Sequence, residues 1–431
     1  MDVRRYLVAL LVIISILTLS YVVKTDDLQD WAKAHSKDSF TFIVFGDSRP
    51  VSPERPLPKS LLSRVAFEIG LIHPDFVIFT GDLVIGYGDT EEQYRSTVEE
   101  FLQIMNEYAP DVPFIFVPGN HELSPGKDKM EIYKEYFGKK LYSDFYFGKA
   151  HFILINTNWP KGMAEGKYGF FNVNDGEHEL AMVDWFKKVV KEPAELKLVF
   201  GHVPAFSALT PNFEFEHTKS FDTKENRDFF VKLLIDNDVD AYISGHEHLT
   251  YFTKVGKTLF MTVGGGGAPL YTPVSGGYQI NTHEKPYDKV TYDERVEFGG
   301  HAKGYHYDLH VPAGALGIFD YMIVNVDGEK ISYRLAVPFQ FDYEVLKNDG
   351  RTFEALVTNR TPYDIKVSGI EVIMPKYSDY EIQAYYKDWG RKNKPVKYEV
   401  VEKKDLGSRV YMRISVVVPA TYAVNVIVKG K

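Results

Sequence analysis

Ala241-Tyr242-Ile243-Ser244-Gly245-His246-Glu247-His248 joins a short apolar run to a glycine and two imidazoles, and the reading of the fold turns on that join. It recurs along the chain. Phe42-Ile43-Val44-Phe45 runs into Gly46-Asp47, Phe76-Val77-Ile78-Phe79 into Gly81-Asp82, and Phe114-Ile115-Phe116-Val117 into Gly119-Asn120-His121. Phe152-Ile153-Leu154-Ile155 ends at Asn156, and Leu198-Val199-Phe200 at Gly201-His202. Continuous apolar stretches of this length are the pattern of strands buried on both faces, and ligands of such sheets gather outside the strands' carboxyl ends. The polar residues of these separate segments are therefore expected to meet along one edge. Residues two apart on an extended backbone point the same way, so His246 and His248 face one side together. Oxygen and imidazole donors from Asp47, Asp82, Asn120, His202, His246 and His248 form a set able to hold two divalent metal ions.

Between the runs lie segments with helical spacing, at Lys59 to His73, Thr90 to Tyr108, Asp175 to Lys191 and Lys224 to Asn237. The second opens on Asp89-Thr90-Glu91-Glu92, a capping start. This alternation predicts an α/β domain with helices covering sheet faces. Phe260 to Val263 is a further strand, ending in Gly264 to Gly267, a turn that either closes the strand or presents amides to an anion. From 270 to 316 the chain is rich in Tyr, His, Gly and Pro without periodicity, the character of an inserted lid. Its His283, His301, His306 and His310 either pack the loop or meet substrate. Ile318 to Val324 and Lys330 to Val337 read as a hairpin around Asp327-Gly328, and short β segments follow from 341 to 431, as in a small antiparallel sandwich. The expected organisation is a membrane segment at 1–24, an α/β domain at 38–338 and a sandwich at 341–431.

Composition narrows the partners. With 431 residues two domains are expected, and a net charge of −9 with a pI near 5.8 gives no surface for nucleic acid. The chain has no Cys, which removes disulfides, thiolate metal sites and cysteine nucleophiles. Arg4-Arg5 precede an apolar run from Tyr6 to Val23, followed by Asp26-Asp27. These flanks predict a signal anchor with the bulk of the chain outside the cytoplasm, or a secreted protein where the run is cleaved. Asn359-Arg360-Thr361 matches a glycosylation acceptor.

Taken in order, Gly46-Asp47-Ser48-Arg49, Gly81-Asp82, Gly119-Asn120-His121-Glu122, Gly201-His202 and Gly245-His246-Glu247-His248 resemble the motifs of the calcineurin-like metallophosphoesterase superfamily. The resemblance covers about residues 40 to 250. It implies a four-layer α/β/β/α fold with a dinuclear centre at one sheet edge. It further implies that Asp82 bridges the metals, Asp47 and His248 bind the first, and Asn120, His202 and His246 bind the second. His121 would stand beside them as general acid, and a metal-bridging hydroxide would attack a phosphate ester. Such donors suit manganese, iron or zinc. Glu122 is placed to orient a ligand from behind.

One position departs from the pattern. The family's first motif carries a His two residues after the Asp, and here that place holds Arg49, which has no lone pair for a metal. Its planar fork suits a phosphate oxygen instead. Purple acid phosphatases, which also lack that His, use a Tyr after the second motif; the matching position here is Ile85, and Tyr87 is nearby. Ile85 also removes an Asp that in some relatives pairs with the acid His. The expected activity is metal-dependent hydrolysis of a phosphomonoester or phosphodiester. Arg49 supports the alternative of a metal-binding envelope protein that has lost turnover and acts through its carboxyl-terminal domain.

Overall fold

The computed structural model describes residues 22–53, 55–123, 127–157, 177–207, 224–271, 313–388 and 392–431. The α/β domain contains two sheets. In spatial order the first is Lys330–Ala336, Tyr321–Asp327, Ser39–Phe45, Phe76–Phe79 and Phe114–Phe116. The second is Ala313–Leu316, Thr250–Val255, Thr258–Val263, Ala241–Ser244, Leu196–Phe200, Ala150–Leu154 and Ser143–Phe147. Ser39–Phe45, Phe76–Phe79 and Phe114–Phe116 run parallel, as do the strands from Ala150, Leu196, Ala241 and Thr258. Their carboxyl ends therefore share an edge within each sheet.

Side chains alternate across a strand, and here both faces are apolar. Phe42 and Val44 point into a core shared with Phe152, Leu198, Phe200 and Ile243 of the second sheet. Ile43 and Phe45 point the other way, against Leu62, Val65, Ile69 and Phe101 of the helices Lys59–Ile72 and Glu91–Tyr108. On the far side, Ile153, Val199 and Tyr242 pack on Val183, Phe186, Phe230 and Leu234 of the helices Glu177–Val189 and Lys224–Asp236. The order is helices, sheet, sheet, helices. The layer between the sheets is largely aromatic, with Phe42 stacked on Phe76 at 5.2 Å and Phe152 meeting Phe42 edge-on at 5.2 Å.

The helical spacings correspond to helices, and the boundaries have local causes. Thr90 caps Glu91–Tyr108 with a full capping box: its hydroxyl accepts from Gln93 N at 3.1 Å and its own amide donates to Gln93 Oε1 at 2.9 Å. Lys59–Ile72 stops at His73, which adopts a left-handed conformation (φ 54°) and donates its amide to Ile69 O. Three strands of the α/β domain lie where no strand was read from the sequence, and the first is Ser143–Phe147, paired with Ala150–Leu154. Thr250–Val255 hairpins back onto Thr258–Val263, and Ala313–Leu316, read as the end of the insertion, pairs with Thr250–Val255. The four insertion histidines lie outside the described residues.

Most of the expected membrane segment also lies outside the described residues, and among these no helix is long and apolar enough to cross a membrane. The last two residues of that apolar run belong to the folded domain. Val22 bridges Phe114, and Val23 is buried and donates to Phe114 O at 2.9 Å. The helix Leu28–His35, preceding the expected domain start, buries Trp31 against Phe76, Phe145 and Phe147.

Beyond Phe341 the chain is all antiparallel, a 5-stranded and a 3-stranded sheet. Burial along Thr352–Asn359 alternates residue by residue, as a half-buried strand requires. The sandwich core is continuous with the layer around Lys59–Ile72. A Cβ on Gly369 would run into the backbone carbonyl of Gly70, so strand and helix touch main chain to main chain. Buried Glu68 ties the join further, accepting from Arg64 Nε at 2.9 Å, Tyr321 Oη at 2.6 Å and Phe339 N at 2.8 Å. The three-residue match to a glycosylation acceptor falls on a buried asparagine. Asn359 is 1% exposed and donates its amide to Tyr363 O and Val418 O, closing a turn inside the sandwich.

Candidate metal centre

Three of the predicted ligands sit in left-handed backbone: Asp47 at φ 60°, Asp82 at φ 61° and His246 at φ 71°. Non-glycine residues rarely take this conformation, and it persists where neighbouring contacts fix it. Here they do. Asp47 N donates to Gly81 O at 2.8 Å, Ser48 N and Arg49 N both donate to Asp82 O at 3.0 Å, and His246 N reaches the Asp47 carboxylate at 2.9 and 3.0 Å. Gly245 is required at this seam, because a Cβ would strike Asp47 Oδ2.

Glu122 is the residue whose weight the sequence understated. Fully buried, it accepts from Asp82 N at 2.8 Å and Gly119 N at 2.6 Å through one oxygen, and from Leu83 N at 2.5 Å through the other. One carboxylate thus fastens the Asp82 loop to the Asn120 loop. Burial, together with the charge of Asp82, pushes Glu122 up to about 7. Thr157 does the same for His202, its hydroxyl accepting from His202 N at 3.2 Å and Val203 N at 3.1 Å. Nothing in its surroundings in the sequence marks Thr157 beyond its place after a strand.

Each imidazole is oriented by a main-chain carbonyl or by its neighbours. A carbonyl only accepts, so the facing nitrogen carries the hydrogen and the other is left for the site. His202 Nδ1 donates to Thr80 O at 2.7 Å and His248 Nδ1 to Pro269 O at 2.7 Å. His121 Nδ1 donates to Ile85 O, so the backbone of Ile85 supplies the partner that its side chain lacks. His121 Nε2 then faces Asp82 Oδ2 at 3.7 Å, with Tyr87 packed edge-on against the ring. Burial lowers the pKa of His121, and Asp82 opposes that shift.

All predicted site residues come together. Asn120 Oδ1 lies 3.0 Å from both His202 Nε2 and His246 Nδ1, those nitrogens are 3.2 Å apart, and Asp82 Oδ1 is 3.2 Å from His202 Nε2. Asp82, His202 and His246 each offer an atom within 4.8 Å of the others, and so do Asp47, Asp82 and His248. Asp82 belongs to both groups. Arg49 lies beside them, its Nε 4.0 Å from Asp82 Oδ2. Gly264 N, Gly266 N and Ala268 N donate to the main-chain carbonyls of Leu249, Gly46 and Asp47, which ties this turn to the Asp47 loop.

The donor set fits divalent cations. Acceptor atoms converge from five chain segments in a fully buried place, which is unfavourable unless positive charge joins them. Burial raises Asp47 well above the usual carboxylate range. At His202 burial disfavours the charged form, yet the adjoining Asp82 carboxylate outweighs it and pushes the ring up to about 9. A proton there does what a metal would do better.

Two stacked sheets with a seam of shared carboxylate and imidazole donors at their carboxyl edge define a metal-dependent phosphoesterase fold. Residues 41–249 match the family model of the calcineurin-like phosphoesterases, so the chain carries a domain of that family. No curated protein matches the sequence. Similar solved structures include GAP50, the anchor in the inner membrane complex of Plasmodium, at 14% identity and TM-score 0.46, covering 70% of this chain and 86% of that one. Purple acid phosphatase PPD1 from yellow lupin (Lupinus luteus) seeds is 13% identical, with TM-score 0.46 over 75% of this chain and 52% of that one. A dimetal phosphatase from Danio rerio is 12% identical, with TM-score 0.41 over 70% and 100%. At such identities and scores none of them assigns a function to this chain.

Proposed function

We propose that the protein hydrolyses phosphate esters at a dinuclear centre, Asp47, Asp82 and His248 holding one divalent ion and Asp82, Asn120, His202 and His246 the other. The observation that supports this most is the place of Asp82 in both donor groups. When bound, two divalent ions offset the charge of the phosphoryl group and make coordinated water a nucleophile near neutral pH. The remaining work falls to the chain. Arg49 offers its guanidinium to a phosphoryl oxygen from beside Asp82. His121, whose pKa burial lowers and Asp82 at 3.7 Å partly restores, takes up a proton at Nε2 and delivers it to the leaving oxygen. Glu122 and Thr157 keep the ligand loops in register. Manganese, iron and zinc all suit these donors.

The convergence of every predicted donor weakens the reading of a centre that has lost turnover. The apolar run before Val22 supports a domain tethered outside the cytoplasm, or secreted where the run is cleaved. Added protease should then attack the domain on intact cells, and protection until lysis would reject that location. For the activity, the full chain purified in detergent is assayed on a chromogenic phosphomonoester and phosphodiester with manganese and then with chelator. Turnover that chelator abolishes is expected, and the ratio of the two rates identifies the ester class. A folded, metal-loaded protein without turnover on either would overturn the proposal.

A further inference from the structure

The two halves of the centre are unequal. Asn120, His202, His246 and Asp82 bring four donors carrying one formal negative charge, each with another of the set at 3.0 to 3.2 Å. The other half brings Asp47, Asp82 and His248, and beside it stands a cation. Arg49 has only 15% of its side chain exposed, and its Nε is buried without a hydrogen-bond acceptor, 4.0 Å from Asp82 Oδ2. Tyr271 stands beside it. Burial raises the pKa of the Tyr271 phenol and the Arg49 charge opposes that rise, its ring stacks on His248 at 4.3 Å and 15°, and its amide donates to His248 O at 2.9 Å. Tyr271 thus bears on both the ligand and the arginine, and neither the motif nor its spacing drew attention to it.

The charges do not suit two resident ions. Asp47 and Asp82 are the carboxylates among the donors, and the buried Glu122 and Glu247 behind them are taken up by the amides of Asp82, Gly119 and Leu83 and by the Ser207 hydroxyl, so a second divalent ion beside the Arg49 guanidinium adds positive charge that no further donor carboxylate meets. A phosphoryl anion answers it, touching both the second ion and Arg49. We infer that the protein holds one divalent ion firmly, at Asp82, Asn120, His202 and His246, and that the Asp47–Asp82–His248 position fills only together with a phosphoryl anion. Arg49 is the fixed cation of the half-filled state, and Tyr271 is the residue that positions it. This rests on the phosphoesterase reading and adds an order of assembly to it.

Metal-free full chain is dialysed to equilibrium against Mn2+, with the free ion read by electron paramagnetic resonance, with and without inorganic phosphate. The wild type should bind close to one equivalent, with a second site at least ~30-fold weaker that phosphate strengthens ~10-fold or more. Arg49→His should bind two equivalents without phosphate. Arg49→Met, which removes the charge without adding a ligand, should tighten the second site and lose its phosphate dependence, so one variant remains if the other fails to fold. Tyr271→Phe should keep the first equivalent and blunt the phosphate effect. Two wild-type sites of matching affinity without phosphate, or an unchanged second site in both Arg49 variants, would overturn the inference. If turnover stays metal-dependent in that case, the phosphoesterase reading stands alone; a folded wild type that binds no Mn2+ removes both.

Discussion

The carboxyl edge of the α/β domain and the carboxyl-terminal sandwich solve opposite problems. At the edge, Asp47, Asp82 and His246 take left-handed backbone, and Asp47, Asp82, Glu122 and Glu247 are buried carboxylates. In the sandwich, burial alternates along the strands, and Asp342, Asp349 and Asp405 leave about half of their side chains in water. Where pattern and propensity are obeyed, the residues contribute stability. Where they are overridden, the surroundings hold groups in places they would not choose, which is how binding sites spend stability.

Substitutions can break that contrast. The largest effect is expected from replacing Asp82, which serves both donor groups: Asp82→Asn should lower metal content by elemental analysis, with and without phosphate, and turnover by at least about a thousandfold. Metal content kept at the wild-type level with and without phosphate would refute the shared role of Asp82. Next comes His121→Ala, which should lower turnover by roughly 10²–10⁴ while metal content stays at the wild-type level. Loss of metal in that variant would make His121 a ligand instead.

The next two act on stability, measured by denaturant unfolding. Glu122→Ala leaves the amides of Asp82, Gly119 and Leu83 buried without an acceptor and should cost about 2–3 kcal/mol, with activity falling as the loops part. Gly369→Ala forces a methyl onto the Gly70 carbonyl and should cost about 1–3 kcal/mol with metal content and turnover unchanged. Were Gly369→Ala to impair turnover at full occupancy, the separation of the two regions would be less complete than their chemistry indicates.

Much of this edge was legible because it is built from local joins. An apolar run followed by glycine and a donor marks both the strand and the point where it delivers a ligand, so Asp47, Asp82, Asn120, His202, His246 and His248 could be named together. Helices announced themselves by spacing and by Thr90. What escaped was decided by contacts between distant segments. The strand Thr250–Val255 has a mixed pattern because one edge of it depends on Ala313–Leu316. Glu122 looked like an ordinary carboxylate, since only the folded loops show that it accepts from both of them. Tyr271 is one tyrosine among 29, and its place beside His248 and Arg49 has no trace in spacing. Asn359 erred in the other direction, because a three-residue pattern says nothing of burial.

The hydrogen bond from His246 N to the Asp47 carboxylate spans 199 positions of chain and joins the first sheet to the second. Contacts of such separation close late, after the entropy of the intervening loop has been met by packing. Either sheet alone supplies only part of the donor set, so an ion finds its full complement of ligands only when the two are docked. During refolding, metal uptake should therefore trail the recovery of secondary structure, and the ion becomes a clock that starts when the halves have met.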